Sequence, residues 1–324
     1  MNGEPSYDAV VIGSGPNGLA AAIRLGQTGK RVLVLEEKAT LGGGLRTEEL
    51  TLPGFRHDVC ATSLPLGVGS PYLSTLPLAD HGVRWVHPRY VFAHPFDDGA
   101  AVVVERDLEQ TIARFPDAAD GRRYRRIIGP LIEHAPALLD EILAPLHVPR
   151  HPFLLARFGM YAVWSGTHLA RMFRSRYARG LIAGLAAHAT SSIAESPSAA
   201  VALVLATLSH RQGWPFVAGG AAGLAEAMKA ILYEQGGEIL LHSPVRKLDD
   251  LPQAPVYVFD VMPNHLADIA GWQLPEAYVR RLRRYEYGPA GFKIDWALSE
   301  PVPWKARACH AAGVVHVGGD MEAI

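Results

Sequence analysis

The chain has 324 residues, of which 49% are hydrophobic and 19% charged, and its formal net charge is −1. This length accommodates two domains, and the near-zero charge argues against a nucleic-acid partner. Cys60 and Cys309 lie far apart, which excludes a disulfide framework, a zinc knuckle and a dithiol redox pair. The N-terminal sequence MNGEPSYDAV lacks the apolar core of a signal peptide. We therefore expect a cytoplasmic protein without a metal site.

The first motif is a strand, a glycine-rich loop, a helix and a second strand. Residues 8–12 (DAVVI) predict a buried parallel strand, and a helical pattern and a second strand at 31–35 follow the loop. The loop reads GSGPNG, a GxGxxG, and comprises Gly13, Ser14, Gly15, Pro16, Asn17 and Gly18. Such glycines permit a tight turn and close approach of a pyrophosphate, whose charge the helix N-terminus stabilises. This order of elements predicts a dinucleotide site.

An acidic pair ends the second strand, and a second glycine cluster follows it. Glu36, with Glu37 beside it, lies 18 residues after Gly18, where a carboxylate can accept hydrogen bonds from both hydroxyls of an adenosine ribose. The cluster comprises Gly42, Gly43 and Gly44. A site for nicotinamide dinucleotide alone has no need of such a cluster, so the sequence favours FAD.

The combined pattern resembles the FAD-dependent superfamily of amine oxidases, carotenoid (phytoene) desaturases and Rab GDP-dissociation inhibitors. The resemblance implies that the second glycine cluster passes close to the flavin nucleotide. Gly44 stands where the family often has arginine, and Arg46 follows two positions later, so its role is open. The resemblance also implies that the backbone of Val245 meets the adenine; an ordinary core position is equally consistent with the sequence.

The following segment is predicted to leave the nucleotide as a hairpin and return to it. It contains His57 and Asp58, which either hold this loop or act beside the flavin or substrate. Short β-type runs between Gly82 and Val104 then predict an antiparallel sheet that begins a second domain. From Asp107 to His210 the pattern is mainly helical, including residues 121–146 and 153–179, as in a substrate cap.

The predicted cap has an unusual charge distribution. Between Glu141 and Glu195 there is no acidic residue, whereas the interval contains Arg150, Arg157, Arg171, Arg174, Arg176 and Arg179. Aromatic residues are interleaved with these arginines. Residues 153–179 could therefore contact an anionic membrane surface. Alternatively, the arginines pair with acidic residues elsewhere in the fold or across a homodimer.

The chain is predicted to return to the nucleotide domain after residue 214. A helix at 223–235 and strands at 238–241, 244–248 and 255–261 follow there. We therefore predict an α/β fold with a discontinuous Rossmann-like FAD-binding domain (1–75 and 215–270). An interleaved α+β substrate domain with a helical cap would occupy residues 76–214 and 271–324.

The last predicted element is a half-buried strand, in which Phe292, Ile294 and Trp296 alternate with polar or small residues. Lys293 lies on it, ahead of Pro303 and Trp304. In amine and polyamine oxidases, which this spacing resembles, such a lysine holds a water at flavin N5. That resemblance implies a catalytic lysine; a solvent-facing lysine paired with Asp295 is the alternative.

The whole chain resembles phytoene desaturase-like FAD oxidoreductases and the pyridine nucleotide-disulphide oxidoreductase domain-containing 2 proteins, through VVIGSGPNGLAAA, TEELTLPGFRHD and FKIDWALSEPVPW. We expect FAD-dependent hydride removal from a small lipophilic substrate, with an amine as the alternative. A non-catalytic escort protein and an NAD(P)-only reductase are the competing classes. Members of the superfamily continue into a C-terminal segment that covers the flavin, so we expect a truncated or split protein.

Overall fold

A computed structural model describes residues 7–324; residues 1–6, part of the segment used to predict the lack of a signal peptide, lie outside it. The strands are β1 (Ala9–Ile12), β2 (Val32–Leu35), β3 (Thr47–Glu48), β4 (His57–Asp58), β5 (Trp85–Val86), β6 (Tyr90–Pro95), β7 (Ala101–Val104), β8 (Phe216–Val217), β9 (Glu238–Leu240), β10 (Val256–Phe259) and β11 (Ala312–Val315). The helices are α1 (Pro16–Gly26), α2 (Pro65–Gly69), α3 (Leu108–Ala113), α4 (Ala118–Glu133), α5 (Ala135–Ile142), α6 (Pro152–Ala162), α7 (Gly166–Arg171), α8 (Arg176–Ala186), α9 (Ser198–Arg211), α10 (Ala222–Glu234), α11 (Pro263–Ala270) and α12 (Glu276–Arg283).

The chain divides into two compact units. The first comprises the described residues up to Thr62, together with Leu76–Trp85 and Val217–Tyr287. Its centre is a parallel sheet in the order β10-β1-β2-β9, and β1 and β2 are completely buried. Helices α1 and α10 pack against each other in this unit. This arrangement confirms the predicted Rossmann-like α/β fold.

Helix α1 begins at Pro16, inside the glycine loop, two residues before the end of the segment that the sequence assigned to the loop. Pro16 occupies the first turn, where a missing amide proton costs nothing, and Gly15 before it is extended. Leu19 and Ile23 are completely buried, so the apolar face of α1 packs inward. The GxGxxG loop is thereby fixed between a buried strand and a buried helix.

The second unit comprises Ser63–Thr75, Val86–Phe216 and Gly288–Ile324. Its sheet has the order β11-β6-β7; β6 and β7 are antiparallel, as their sequence predicts, whereas β11 joins β6 in parallel. The core is built mainly from the helices between α4 and α9, and its largest buried side chains include Trp214, Tyr124 and Phe92. The helical region predicted for the cap is therefore present.

The predicted long helical segments are divided into shorter helices. Residues 121–146 form parts of α4 and α5, and residues 153–179 form α6, α7 and the start of α8. Ser165 and Ser175 explain two of the divisions, because each side chain accepts a hydrogen bond from the first turn of the helix that follows it. None of the helices within residues 7–324 combines the length and hydrophobicity that a bilayer crossing requires.

Two predicted strands are wrong. Residues 244–248 form an irregular turn, because the Asp250 carboxylate accepts hydrogen bonds from the amides of Arg246 and Lys247, at 2.8 and 3.0 Å. Residues 292–296 form neither helix nor strand. Phe292 is 91% exposed there, so the alternating pattern has no apolar surface to pack against.

Candidate functional site

A cavity of about 470 Å³ lies in the first unit, beside the carboxyl ends of β1, β2 and β10. This is the edge at which open parallel sheets bind their ligands. Seven predicted cofactor residues line the cavity: Gly13, Ser14, Gly15, Glu36, Glu37, Gly43 and Val245. The sequence-predicted dinucleotide site and the structural cavity therefore coincide at this edge.

Ser14 connects the glycine loop to the acid at the end of β2. The Glu36 carboxylate accepts a hydrogen bond of 2.6 Å from the Ser14 hydroxyl and one of 3.0 Å from the Ser14 amide. Its other oxygen accepts from the Lys38 amide at 2.9 Å. A carboxylate offers about four acceptor positions. One position therefore remains for a ribose hydroxyl, whereas the position of Glu36 in the sequence predicted that it accepts from both.

The same contacts keep Glu36 ionised. Burial raises the pKa of its carboxyl, but the hydrogen bonds from Ser14 and Lys38 outweigh that effect, so the pKa lies below its usual value. A carboxylate that is buried, ionised and fixed in direction is a suitable acceptor for a sugar hydroxyl.

The second glycine cluster packs directly on the first. A Cβ atom at Gly43 would lie 3.0 Å from the Cα of Gly15, and the backbone φ of Gly43 is +53°, so glycine favours this close contact between the loops. The Gly42 amide also donates to the Ser14 carbonyl at 3.0 Å. The two clusters, which are separated by a helix and a strand in the sequence, therefore form one wall of the cavity.

Sequence reasoning missed Asp260, which follows β10 at the same edge of the sheet. Its carboxylate accepts a hydrogen bond of 2.8 Å from the Gly18 amide at the start of α1. A Cβ atom at Gly13 would lie 2.5 Å from the Asp260 carbonyl oxygen, and one at Gly15 would lie 2.9 Å from the Asp260 carboxylate. Because residues 255–261 were predicted as a strand of the nucleotide domain, the carboxyl end of that strand was the signal that could have identified this residue.

The residues of this wall fit a dinucleotide pyrophosphate. Within residues 7–324, the amides of Gly15 and Asn17 have no protein acceptor, and Pro16 between them carries no amide hydrogen. Unpaired amides at a helix start bind phosphate oxygens. Arg246 and His265 also line the cavity, together with the acidic Asp260 and Asp268. The backbone is therefore the main donor set for a phosphate.

Six predicted cofactor residues do not line the cavity, and two that do line it also have contacts outside it. Pro16, Asn17, Gly18, Gly42, Gly44 and Arg46 do not line the cavity. Arg46 donates to the Gly43 carbonyl at 3.1 Å and lies 3.6 Å from the Glu48 carboxylate, so it braces the second cluster. Glu37 lies 3.2 Å from the Arg246 guanidinium. Val245 lines the cavity and also packs against the core of the parallel sheet.

The hairpin that contains His57 and Asp58 holds a helix. Asp58 accepts hydrogen bonds from the Thr47 hydroxyl at 2.6 Å and from the Ala221 amide at 2.8 Å, and Thr47 accepts from the Ala222 amide at 3.0 Å. Asp58 and Thr47 therefore cap α10. His57 Nε2 lies 2.7 Å from the Thr51 hydroxyl, within the hairpin. Its catalytic role stays a prediction.

Lys293 belongs to the second unit. Its ammonium group forms an ion pair with Asp295, two residues later, as in the alternative interpretation of this segment. The strand predicted to carry Lys293 is absent, so the spacing that suggested its position beside a flavin has lost its structural basis. Its role as the lysine that orders water stays a prediction.

Comparison with known proteins agrees with the Rossmann-like fold of the first unit. The family model of the NAD(P)-binding Rossmann-like domain matches residues 11–76, which contain both glycine clusters. The chain is 37% identical over 141 residues to one of the limonene dehydrogenase chains of Castellaniella defragrans, covering 43% of this chain and 24% of that protein. It is 29% identical over 287 residues to pyridine nucleotide-disulfide oxidoreductase domain-containing protein 2 of Rattus norvegicus, covering 76% and 49%.

A carotenoid enzyme is a further relative. The chain is 25% identical over 260 residues to 4,4'-diapophytoene desaturase of a Methylomonas species, covering 74% of this chain and 48% of the desaturase. The chain therefore spans about half the length of the rat and Methylomonas proteins, and its match to the Castellaniella protein covers about a quarter of that protein.

Solved structures share the fold. An oxidoreductase from Methanosarcina mazei matches with a TM-score of 0.58 at 19% identity, over 85% of this chain and 65% of that one. Cyclohexylamine oxidase from Brevibacterium oxydans matches with a TM-score of 0.55 at 19% identity, over 86% and 63%. The Rossmann-domain match and the desaturase relatives support the superfamily of flavin-type oxidoreductases, and the solved structures show that the chain shares its fold with an amine oxidase.

Proposed function

We propose that this chain binds FAD and belongs to an oxidoreductase that removes hydride from a small lipophilic substrate. The observation that carries the proposal is the double glycine wall, in which Gly43 packs on Gly15 beside the buried carboxylate of Glu36. A site for a nicotinamide dinucleotide requires the first glycine loop and the acid but not the second cluster.

The residues of the wall divide the work of holding the nucleotide. The amide of Gly15, which lines the cavity, would donate to the pyrophosphate, together with the amide of Asn17 in the adjoining first turn of α1, and Glu36 would accept from the adenosine ribose. Val245 would provide an apolar surface beside the adenine. The bound flavin would supply the hydride-accepting chemistry, so this chain needs no nucleophile of its own for that step.

The relatives guide the choice of substrate class. Limonene and diapophytoene, named in two of the relatives, are hydrocarbons, whereas the neighbour that acts on cyclohexylamine shows likeness in fold alone. A hydrocarbon offers no charge or hydrogen bond, so apolar contacts must bind it. Because these two relatives match in sequence and the amine oxidase only in fold, we favour a lipophilic substrate over an amine.

Absorption spectroscopy and chromatography test the cofactor. The purified chain, mixed with FAD and passed over a desalting column, should elute with the absorption bands of bound flavin. A substitution of Glu36 by alanine should lower the amount retained. A folded chain that retains no flavin would overturn the proposal and favour an escort protein on the same fold.

Substrate class is tested with the flavin-loaded protein in the absence of oxygen. A monoterpene or carotenoid hydrocarbon should bleach the flavin bands, whereas cyclohexylamine should leave them unchanged. Bleaching by the amine alone would contradict the lipophilic substrate and keep the FAD assignment.

A further inference from the structure

Helix α6 in the second unit exposes an apolar stripe. Phe153 is 88% exposed, Met160 58%, Val163 60% and Trp164 47%. At 100° per residue, these four positions and the exposed Ala156 and Arg157 fall within an arc of about 120°. The exposure is therefore a continuous stripe along one side of the helix and its final turn.

The opposite side of α6 is also apolar. Phe158 and Ala162 are buried in the core of the second unit. A surface helix normally carries polar residues on its outer side. Because α6 carries large apolar groups on both sides, its outer stripe requires a partner that the described chain does not supply.

The loop before α6 extends the apolar surface. Leu146 and Val148 are almost fully exposed, at 107% and 88%. Two bonds fix the loop between them and the helix: Glu141 lies 2.9 Å from His147 and accepts from the His151 amide at 2.7 Å. The exposed side chains are therefore presented on an anchored loop.

The surface is positively charged. Arg150 precedes α6 and Arg157 lies on the stripe, where its guanidinium donates to the backbone carbonyl of Arg126 in α4 at 3.3 Å. Within residues 7–324, the side chains of Arg126, Arg150 and Arg157 form no ion pair. Arg176, further along the same arginine-rich interval, pairs with Asp98 and Asp320, so acidic residues of the fold neutralise that arginine but not these three. Glu141, the acid that precedes this stretch, is buried and already bound.

We propose that the stripe of α6 and the adjoining loop dock on an anionic lipid surface. Apolar side chains would enter the boundary of the headgroups and acyl chains, the arginines would contact lipid phosphates, and Trp164 would lie at the interface. Charge disfavours a second copy as the occupant. A two-fold contact brings the same patch of each copy together, which would place Arg150 and Arg157 of one copy near those of the other.

Sedimentation with vesicles tests the proposal on the full chain. The protein should bind vesicles of phosphatidylcholine mixed with phosphatidylglycerol and should bind vesicles of phosphatidylcholine alone much more weakly. Added salt should weaken the binding to the anionic vesicles. Equal binding to both vesicle types, or no binding to either, would overturn the proposal.

Two double variants separate the contributions. F153S/M160S should weaken binding to the anionic vesicles at least about tenfold, because it removes two inserted groups. R150Q/R157Q should weaken it by about fivefold per arginine and reduce the salt dependence. The matched control is F292S, which removes a phenylalanine that is 91% exposed elsewhere in the second unit. It should bind like the unaltered chain, and a loss equal to that of F153S/M160S would contradict the assignment to α6.

Sedimentation velocity and circular dichroism complete the test. All variants should keep the circular dichroism spectrum of the unaltered chain, because each altered side chain is exposed. If the unaltered chain is a dimer, F153S/M160S makes it monomeric and no vesicle binding occurs, the stripe is a protein interface and the lipid proposal is wrong.

Discussion

Glu36 is the residue on which nucleotide retention should depend most. It is 9% exposed, it lines the cavity, and Ser14 fixes its carboxylate. Replacing it by glutamine keeps the size and removes the charge that a ribose hydroxyl would contact. A hydrogen bond to a charged group contributes about 1.5–3 kcal/mol, so we expect FAD to bind roughly tenfold or more weakly.

Equilibrium titration of flavin fluorescence measures this change. Glu37→Gln is the matched control, because Glu37 is exposed and pairs only with Arg246 and Lys38 among the described residues. If both variants lose the same affinity for FAD, the loss reflects the removal of any negative charge near the cavity, and Glu36 has no specific role.

The carboxylate of Asp260 should weaken FAD binding, whereas that of Glu36 should strengthen it. Its carboxylate caps α1 through the Gly18 amide, yet it also places a negative charge beside the predicted pyrophosphate position. Replacing it by asparagine keeps an oxygen for the Gly18 amide and removes the charge. Since nearby like charges repel, we expect Asp260→Asn to bind FAD several-fold more tightly, with the difference shrinking as salt is added.

Asp260→Ala separates the cap from the charge. It removes both, so it should lower the free energy of unfolding by about 1 kcal/mol relative to Asp260→Asn in a urea titration. Weaker FAD binding by the folded Asp260→Asn protein would contradict the repulsion and show that the carboxylate itself supports the nucleotide.

At the scale of elements, the contact between the two glycine clusters is the feature to test. Gly43 has a backbone φ of +53°, and a Cβ there would press on the Cα of Gly15. Gly43→Ala should therefore destabilise the first unit by more than the roughly 1–2 kcal/mol of left-handed backbone strain alone, and it should weaken FAD retention.

Gly29 provides the control for backbone strain. Its φ is +78°, and a Cβ atom at this position would have no neighbouring atom within 4 Å. Gly29→Ala should therefore lose only the stability that left-handed backbone strain costs, because no atom clashes with the added Cβ. Its FAD retention should be unchanged. If the two alanine variants lose equal stability in thermal unfolding and retain FAD equally, the packing of one cluster on the other is not important for the site.

The sequence predicts these elements well where local signals are strong. β1 and β2 are short β-branched runs beside glycines, and the structure buries both completely. Alternation was a weaker signal: Phe292, Ile294 and Trp296 have the spacing of a strand but no apolar surface to cover them. The segment at 244–248 was predicted as a strand but forms a turn, because the Asp250 carboxylate accepts hydrogen bonds from two of its backbone amides. The hydrophobic pattern of a sequence contains no information on such a side-chain contact.

For the molecule as a whole, distance in the sequence separates what could be predicted from what could not. Glu36 and the two glycine clusters lie close together in the sequence, so their order alone predicted a shared site. Asp260 reaches Gly18 across 242 positions, and only the pairing of β10 with β1 brings the two together. The sequence showed the arginines of the cap. Which side of α6 faces outward could not be predicted, because that depends on which of its apolar residues pack into the core.

Ligand-linked stability of the whole chain distinguishes FAD from a nicotinamide dinucleotide. A ligand at about 100 times its dissociation constant stabilises the folded state by about 2.7 kcal/mol. We expect FAD to raise the thermal unfolding midpoint of the transition that includes the first unit by roughly 5 to 10 °C. NAD⁺ or NADP⁺ at the same concentration should have less effect, because neither carries the flavin group beside which the second glycine cluster is predicted to lie, and Glu36 would repel the 2′-phosphate of NADP⁺.

Two variants make this measurement specific. Glu36→Gln should lose about half or more of the FAD-dependent shift, because a roughly tenfold weaker dissociation constant leaves the ligand at only about ten times that constant. Lys293→Met should keep the full shift, because Lys293 belongs to the second unit and pairs with Asp295. A shift with NAD⁺ and none with FAD would identify a nicotinamide-dependent reductase, and the double glycine wall would then need another explanation.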